Sequence, residues 1–263
     1  MSDILKVAAL QLDIASGDKT RNISEASRLI ESLPEGYDIA VLPEMFTTGF
    51  ICDPSQSALL AESVDGVTMT AMRSLSARHK IAICGSFIAR DGDAVYNRAF
   101  FVEPSGDTYF YDKHHLFSFS GEDIAYRRGT SHLPVFRFRG WNIAMAVCFD
   151  LRFPAWLRNH DGAYDLLIIM ANWPDSRAYP WKQLLIARAI ENQSYVIGCN
   201  RSGTDIYGEY AGISIIIDAK GKILGEKPGE PVISADLSKE SLDSFRTKFP
   251  VLPEADRFTF TIE

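Results

Sequence analysis

The stretch Asn142-Ile-Ala-Met-Ala-Val-Cys148-Phe-Asp-Leu-Arg-Phe-Pro154 is an apolar run that ends abruptly in a cysteine. Residues 143–147 read as a buried strand, and Pro154 suits the first turn of a helix that continues to about residue 159. A cysteine at such a junction carries its sulfur at the carboxyl edge of a sheet, where the following turn can offer backbone N–H groups to an anion. Buried cysteine is by itself commonly just a small hydrophobe, so the reading depends on what else the chain brings to that edge.

Two other junctions qualify. Asp38-Ile-Ala-Val-Leu-Pro43 is a short strand that stops at Glu44, and Asp107-Thr-Tyr-Phe-Tyr-Asp112 is another that stops at Lys113. If these strands run the same way in one sheet region, Glu44, Lys113 and Cys148 meet at its edge. A thiol, a carboxylate able to take its proton and an ammonium able to stabilise an oxyanion are the parts required for acyl transfer through a thioester.

Taken in order, Leu42-Pro-Glu44-Met-Phe, Tyr111-Asp-Lys113-His-His-Leu-Phe and Val147-Cys148-Phe-Asp-Leu-Arg152-Phe-Pro resemble the Glu, Lys and Cys motifs of the nitrilase (carbon–nitrogen hydrolase) superfamily. Ala171-Asn-Trp-Pro174, Ala187-Arg-Ala-Ile-Glu-Asn192 and Gly198-Cys-Asn-Arg201 resemble its omega-amidase branch most. The resemblance covers nearly the whole chain. It implies an α/β fold of four-layer α-β-β-α form and a cofactor-independent cysteine amidase acting on the terminal amide of a small dicarboxylic acid monoamide, of the 2-oxoglutaramate or 2-oxosuccinamate type. It also implies a homodimer or higher homo-oligomer. An N-carbamoyl amino acid amidohydrolase, a nitrilase, or a non-enzymatic binding module on the same fold are the competing readings. The intact set of three motifs speaks against the last.

Composition narrows the classes independently. The chain has 263 residues, 46% of them hydrophobic, enough to bury a large core, and its alternating strand and helix patterns read as one domain over 1–263. The formal charge of −7 without a basic cluster makes nucleic acid and anionic membrane surfaces improbable partners. The amino terminus lacks the pattern of a secretory signal and no apolar run nears the ~18 residues of a membrane span, so a cytoplasmic enzyme is expected. The four cysteines, at 52, 84, 148 and 199, are far apart and form no Cys-x-x-Cys pair, which argues against a zinc site and a disulfide framework. Cys84 and Cys199 sit in strand-like runs and read as core.

In order, residues 5–12 make a first strand, 19–33 an amphipathic helix and 38–43 the next strand, a β-α-β opening that favours a parallel crossover. A helix over 66–79 leads to a hairpin of 81–89 and 94–103 that turns at Asp91-Gly92. Residues 114–133, aromatic and glycine-punctuated, read as a lid or pocket wall. Strands at 134–139 and 165–170, a helix over 178–192, and strands at 195–200, 212–217, 222–225 and 232–235 follow, with the last twenty-odd residues as a packed tail.

Each candidate has a role and a bland alternative. Cys148 is the nucleophile, Glu44 its base, and Lys113 an oxyanion donor together with the Phe149 N–H. A free thiol with a pKa of about 8.5 is mostly protonated at neutral pH and needs such neighbours. Alone, Glu44 would read as a cap and Lys113 as a solvated strand end. Glu122 is expected to orient Lys113, with the adjacent Asp123 as the alternative. Arg152, four residues past Cys148, faces the same pocket if the junction is helical; the resemblance implies that it binds a substrate carboxylate, and a salt bridge to a neighbouring carboxylate is the other reading. Phe46, Trp173 and Tyr126 are candidate pocket walls. His114 and His115, adjacent on an extended chain, point opposite ways and do not share a metal.

Overall fold

The computed structural model describes residues 3–261. Along the chain come β1 (Ile4–Leu10), α1 (Lys19–Ser32), β2 (Ile39–Val41), α2 (Pro54–Leu60), α3 (Val67–His79), β3 (Ala82–Asp91), β4 (Ala94–Val102) and β5 (Thr108–Asp112). Then follow α4 (Glu122–Ala125), β6 (Val135–Phe138), β7 (Trp141–Val147), β8 (Leu166–Ala171), α5 (Ala178–Asn192), β9 (Tyr195–Asn200) and β10 (Ser202–Asp205). The last elements are β11 (Gly208–Ala211), β12 (Ile215–Ile217), β13 (Ile223–Gly225), β14 (Val232–Ser238) and α6 (Lys239–Lys248).

Two six-stranded sheets result, ordered β14-β1-β2-β3-β4-β5 and β13-β12-β9-β8-β7-β6. The centre of each is parallel, β1-β2-β3 in the first and β7-β8-β9 in the second, and the outer strands are antiparallel. Central strands whose apolar residues fall on both faces require cover on both, and they have it. In β1, Val7 and Ala9 pack with the second sheet, while Ala8 and Leu10 pack under α1 and α3 beside Leu29, Ile30 and Met72. In the second sheet, Trp181, Leu185 and Ala189 of α5 cover the outer face. The order of layers is therefore α-β-β-α. Cys199 lies between the sheets, its thiol donating to the Val41 carbonyl at 3.2 Å, and Cys84 is equally buried, so both are core thiols.

The sequence reading needs three corrections. Glu44, Lys113 and Cys148 do not share one sheet: β2 and β5 belong to the first and β7 to the second, and the residues meet where the two sheets face each other. No α-helix follows Cys148; residues 148–152 form a 3-10 turn, and Pro154 lies beyond it. The hairpin β10–β11 and the helix α6, capped by Ser238 Oγ, were not anticipated. By contrast, the helix expected over 178–192 has those bounds, and the tail does pack, Phe258 on His160 and Phe260 on Trp156.

Helix α5 lies close on the sheet at Gly198 in β9, where a Cβ would come within 2.4 Å of Leu185 Cδ1 and 2.9 Å of Trp181 Cζ2. Gly198→Val should therefore push α5 off the sheet, cost about 1–3 kcal/mol and lower Tm by several degrees. A thermal melt with unchanged Tm would mean that α5 is not held at this distance.

Candidate active site

Glu44 follows β2, at the start of a tight turn in which Met45 has φ +44. Its burial is complete, and every contact fixes the carboxylate: Oε1 accepts from Asn97 Nδ2 at 2.8 Å and Lys113 Nζ at 2.9 Å, and Oε2 from the Asn172 N–H at 2.8 Å. The Asn172 side chain returns a hydrogen bond to the Glu44 carbonyl at 2.8 Å. The segment Ala171-Asn-Trp-Pro174 thus ties the end of β8 in the second sheet to the end of β2 in the first.

Lys113 extends β5 by one residue, and its ammonium is buried between two carboxylates. Besides Glu44 it reaches Glu122 Oε1 at 2.9 Å and Oε2 at 2.8 Å. Glu122 in turn accepts from the Phe117 N–H at 2.6 Å and from Asn97 Nδ2 at 3.2 Å. Of the two acidic candidates Glu122 is the one brought to Lys113, while Asp123 is exposed. Gly129 closes this loop: a Cβ there would sit 2.0 Å from the Asp112 carbonyl oxygen, and its N–H donates to the Lys113 carbonyl at 2.9 Å.

Taking a charge out of water is costly unless it is paired. Burial works against the Lys113 charge, but Glu122 and Glu44 outweigh it and hold the ammonium well above its usual range. Burial likewise raises the Glu122 carboxyl, Lys113 opposing and Glu44 adding to the rise.

Cys148 begins the 3-10 turn with φ +44, a left-handed conformation uncommon for residues other than glycine. Asp150 holds that turn. Its buried carboxylate accepts from the Val147 N–H at 3.1 Å, Tyr111 Oη at 2.9 Å and the His115 N–H at 2.9 Å, and pairs with His115 Nδ1 at 2.8 Å. Burial pushes the Cys148 thiol well above its ordinary range, Glu44 adds to this and Lys113 opposes it, so the resting sulfur keeps its proton.

The two histidines are occupied otherwise than expected. The chain bends at this point, so their rings lie 4.7 Å apart instead of on opposite faces. His114 stacks on Trp156 and bonds to the Gly129 carbonyl, and His115 stacks on Phe153.

Cys148 and Lys113 open onto a cavity with about 470 Å³ of empty space, part of it shared with solvent. Phe149, Arg152 and Trp173 line it. Arg152 lies over the Trp173 ring at 4.9 Å and has no carboxylate partner among the described residues, which removes the salt-bridge reading. Two expected walls are elsewhere. Phe46 is buried under α1 and α3 against Phe100, and Tyr126 is buried with Met45, its hydroxyl donating to the Ile51 carbonyl. Phe50, Phe117, Tyr207 and Tyr210 form the wall instead, and Arg177 joins Arg152 at it. Sequence reasoning also missed Asn97; its one signal is an amide that, with Arg98, interrupts the apolar run of β4.

Comparison with known proteins agrees with this geometry. The chain is 42% identical over 257 residues to omega-amidase YafV of Yersinia enterocolitica, covering 97% of this chain and 98% of that one. It is 34% identical to 2-oxoglutaramate amidase of Bacillus subtilis (strain 168), covering 94% and 96%. A solved CN-hydrolase superfamily protein of Xanthomonas campestris, with an arsenic adduct in its active site, superposes with a TM-score of 0.94 at 36% identity, covering 99% of this chain and all of that one. Residues 6–247 match the model of the carbon-nitrogen hydrolase family, and the chain belongs to that family.

Proposed function

We propose that this enzyme is an omega-amidase, a cysteine amidase that hydrolyses the terminal amide of a small dicarboxylic acid monoamide of the 2-oxoglutaramate or 2-oxosuccinamate type to the acid and ammonia. One observation carries the reading: a single cavity has Cys148 and Lys113 at its base and an unpaired guanidinium, Arg152, at its wall. The names of the relatives, omega-amidase and 2-oxoglutaramate amidase, support the same substrate class.

Cys148 Sγ attacks the amide carbon while its proton passes to Glu44. The carbonyl oxygen, now an oxyanion, takes hydrogen bonds from Lys113 and the Phe149 N–H. An ammonium has three hydrogens, and if one serves both oxygens of Glu122 and one serves Glu44, the third is left for the cavity. The C–N bond then breaks, the nitrogen takes the proton from Glu44 and leaves as ammonia. Water attacks the acyl-thioester, giving its proton to Glu44, and the C–S bond breaks as the sulfur recovers that proton. Because the resting thiol is neutral, the base acts only when a substrate is in place. Trp173 completes the pocket beneath Arg152. Assembly as a homo-oligomer and a cytoplasmic location belong to the same proposal; exposed Tyr179 and Ile190 on α5 offer apolar surface for the first, and no described helix is long and apolar enough to cross a membrane.

An ammonia-release screen across 2-oxoglutaramate, 2-oxosuccinamate, N-carbamoyl acids and nitriles tests the reading. Turnover of the 2-oxo acid amides is expected, and activity confined to the other two classes would overturn it. Glu44→Gln and Lys113→Ala should each lose several orders of magnitude in kcat, since both act as one unit with the thiol. Glu122→Gln should lose less and Asp123→Asn nothing. Lys113→Ala, which leaves two carboxylates buried without a cation, should also cost about 3–5 kcal/mol of stability by denaturant titration.

Arg152→Ala should lose about 30-fold in kcat/KM on an acidic amide and little on a neutral amide of equal length. That is the low end for a charge-assisted pair, because Arg152 is exposed. Arg152→Lys should keep part of the difference, since a point charge does not reproduce the guanidinium fork. Equal loss on both amides would make Arg152 structural.

A further inference from the structure

The lining of the catalytic cavity includes three cations, Lys113, Arg152 and Arg177, and no carboxylate, in a chain of net charge −7. Lys113 is neutralised by Glu44 and Glu122, which leaves two guanidiniums facing the substrate. Neither is held by an acid among the described residues; each lies on an aromatic ring, Arg152 over Trp173 at 4.9 Å and Arg177 over Phe117 at 5.3 Å. The nearest acids in sequence are turned to other tasks, Asp175 accepting from the Ala211 N–H at 2.8 Å and Asp150 holding Val147 and His115. Trp173 positions both: its ring carries Arg152, and its indole N–H donates to the Arg177 carbonyl at 2.8 Å. Buried Trp173 is itself clamped by Asn200, whose amide accepts from the Trp173 N–H and donates to its carbonyl, each at 2.8 Å.

We infer that Arg177 is a second specificity-determining residue, one that selects 2-oxo acids against 2-amino acids. The inference rests on the proposed omega-amidase reading and deepens it. With the amide carbon at Cys148 and the remote carboxylate on Arg152, the substituent next to that carboxylate is the group left for Arg177, the second guanidinium of the same cavity wall. A 2-oxo oxygen is an acceptor and pairs with it. A 2-ammonium group is a cation with only donors, so it meets repulsion and finds no partner. Both guanidiniums sit on aromatic faces, which keeps them unpaired and aimed while substrate is absent.

The test compares wild type, Arg177→Gln and Arg177→Glu by kcat/KM on 2-oxoglutaramate, glutamine and a neutral unsubstituted amide of equal length. The affinities of the products 2-oxoglutarate and glutamate are measured calorimetrically in parallel. Arg177→Gln should narrow the oxo-to-amino ratio about ten-fold or more, mainly by loss on the oxo acid, and leave the neutral amide within about three-fold. Arg177→Glu should narrow the ratio further by gaining on glutamine, and the product affinities should follow the same order. An unchanged ratio in both variants, or an equal loss on all three amides, would overturn the inference while leaving the omega-amidase reading intact. Were the wild type to hydrolyse none of these amides, the omega-amidase reading would fall. The product affinities would then still decide the role of Arg177: a preference for 2-oxoglutarate that Arg177→Gln removes supports it, and no such preference overturns it.

Discussion

The Lys113 ammonium, buried between the Glu44 and Glu122 carboxylates, is the interaction on which the rest of the site depends. Each of the three charges would cost several kcal/mol to bury alone, so the cluster exists only if all three arrive together. They come from separate parts of the chain: the turn after β2, the end of β5 and the start of α4. Asn172, at the end of β8, satisfies the Glu44 oxygen that Lys113 does not reach, and Asn97 of β4 adds a second donor to the Glu44 and Glu122 oxygens that it does. The fold has to bring four strands or strand ends of two sheets and the start of a helix to one point, and the electrostatic penalty for failing to do so is what makes their positions definite.

A second carboxylate performs the same service for the nucleophile. Asp150 binds the Val147 N–H on one side and His115 on the other, so a single buried group joins the turn that carries Cys148 to the loop that follows Lys113. A positive φ at a cysteine costs of order 1 kcal/mol or more and persists only where the surroundings over-determine it. Here four hydrogen-bond contacts to Asp150 do so, and Cys148 is left at the cavity.

Much of this was legible in the sequence because it depends on local pattern. The β-α-β opening, the bounds of α5 and the strand ends at Glu44, Lys113 and Cys148 follow from runs of apolar residues with clear period or clear stops. What was not legible depends on long-range pairing. Nothing in 38–43 or 143–147 says that the two strands belong to different sheets, since a strand buried on both faces reads the same in either. The walls were misassigned for a related reason: Phe46 and Phe50 stand four residues apart in one aromatic loop that turns through positive φ at Met45 and Gly49, so no period tells which ring reaches the cavity. Residues 202–211 form a hairpin bridged to Asp13 at Ser202, and its placement over the cavity rests on that bridge, on the Arg201 and Asp205 pair and on the Asp175 contact to Ala211, contacts between segments that no local pattern announces.

The central claim is that the thiol of Cys148 carries the acyl group. The most direct measurement is intact-protein mass spectrometry of the wild type, acid-quenched during turnover of 2-oxoglutaramate, followed by peptide mapping. The account predicts one acyl adduct per chain, on the peptide containing Cys148, which disappears when the substrate is exhausted. An adduct on Cys52, Cys84 or Cys199, or steady ammonia release by Cys148→Ala, would contradict it.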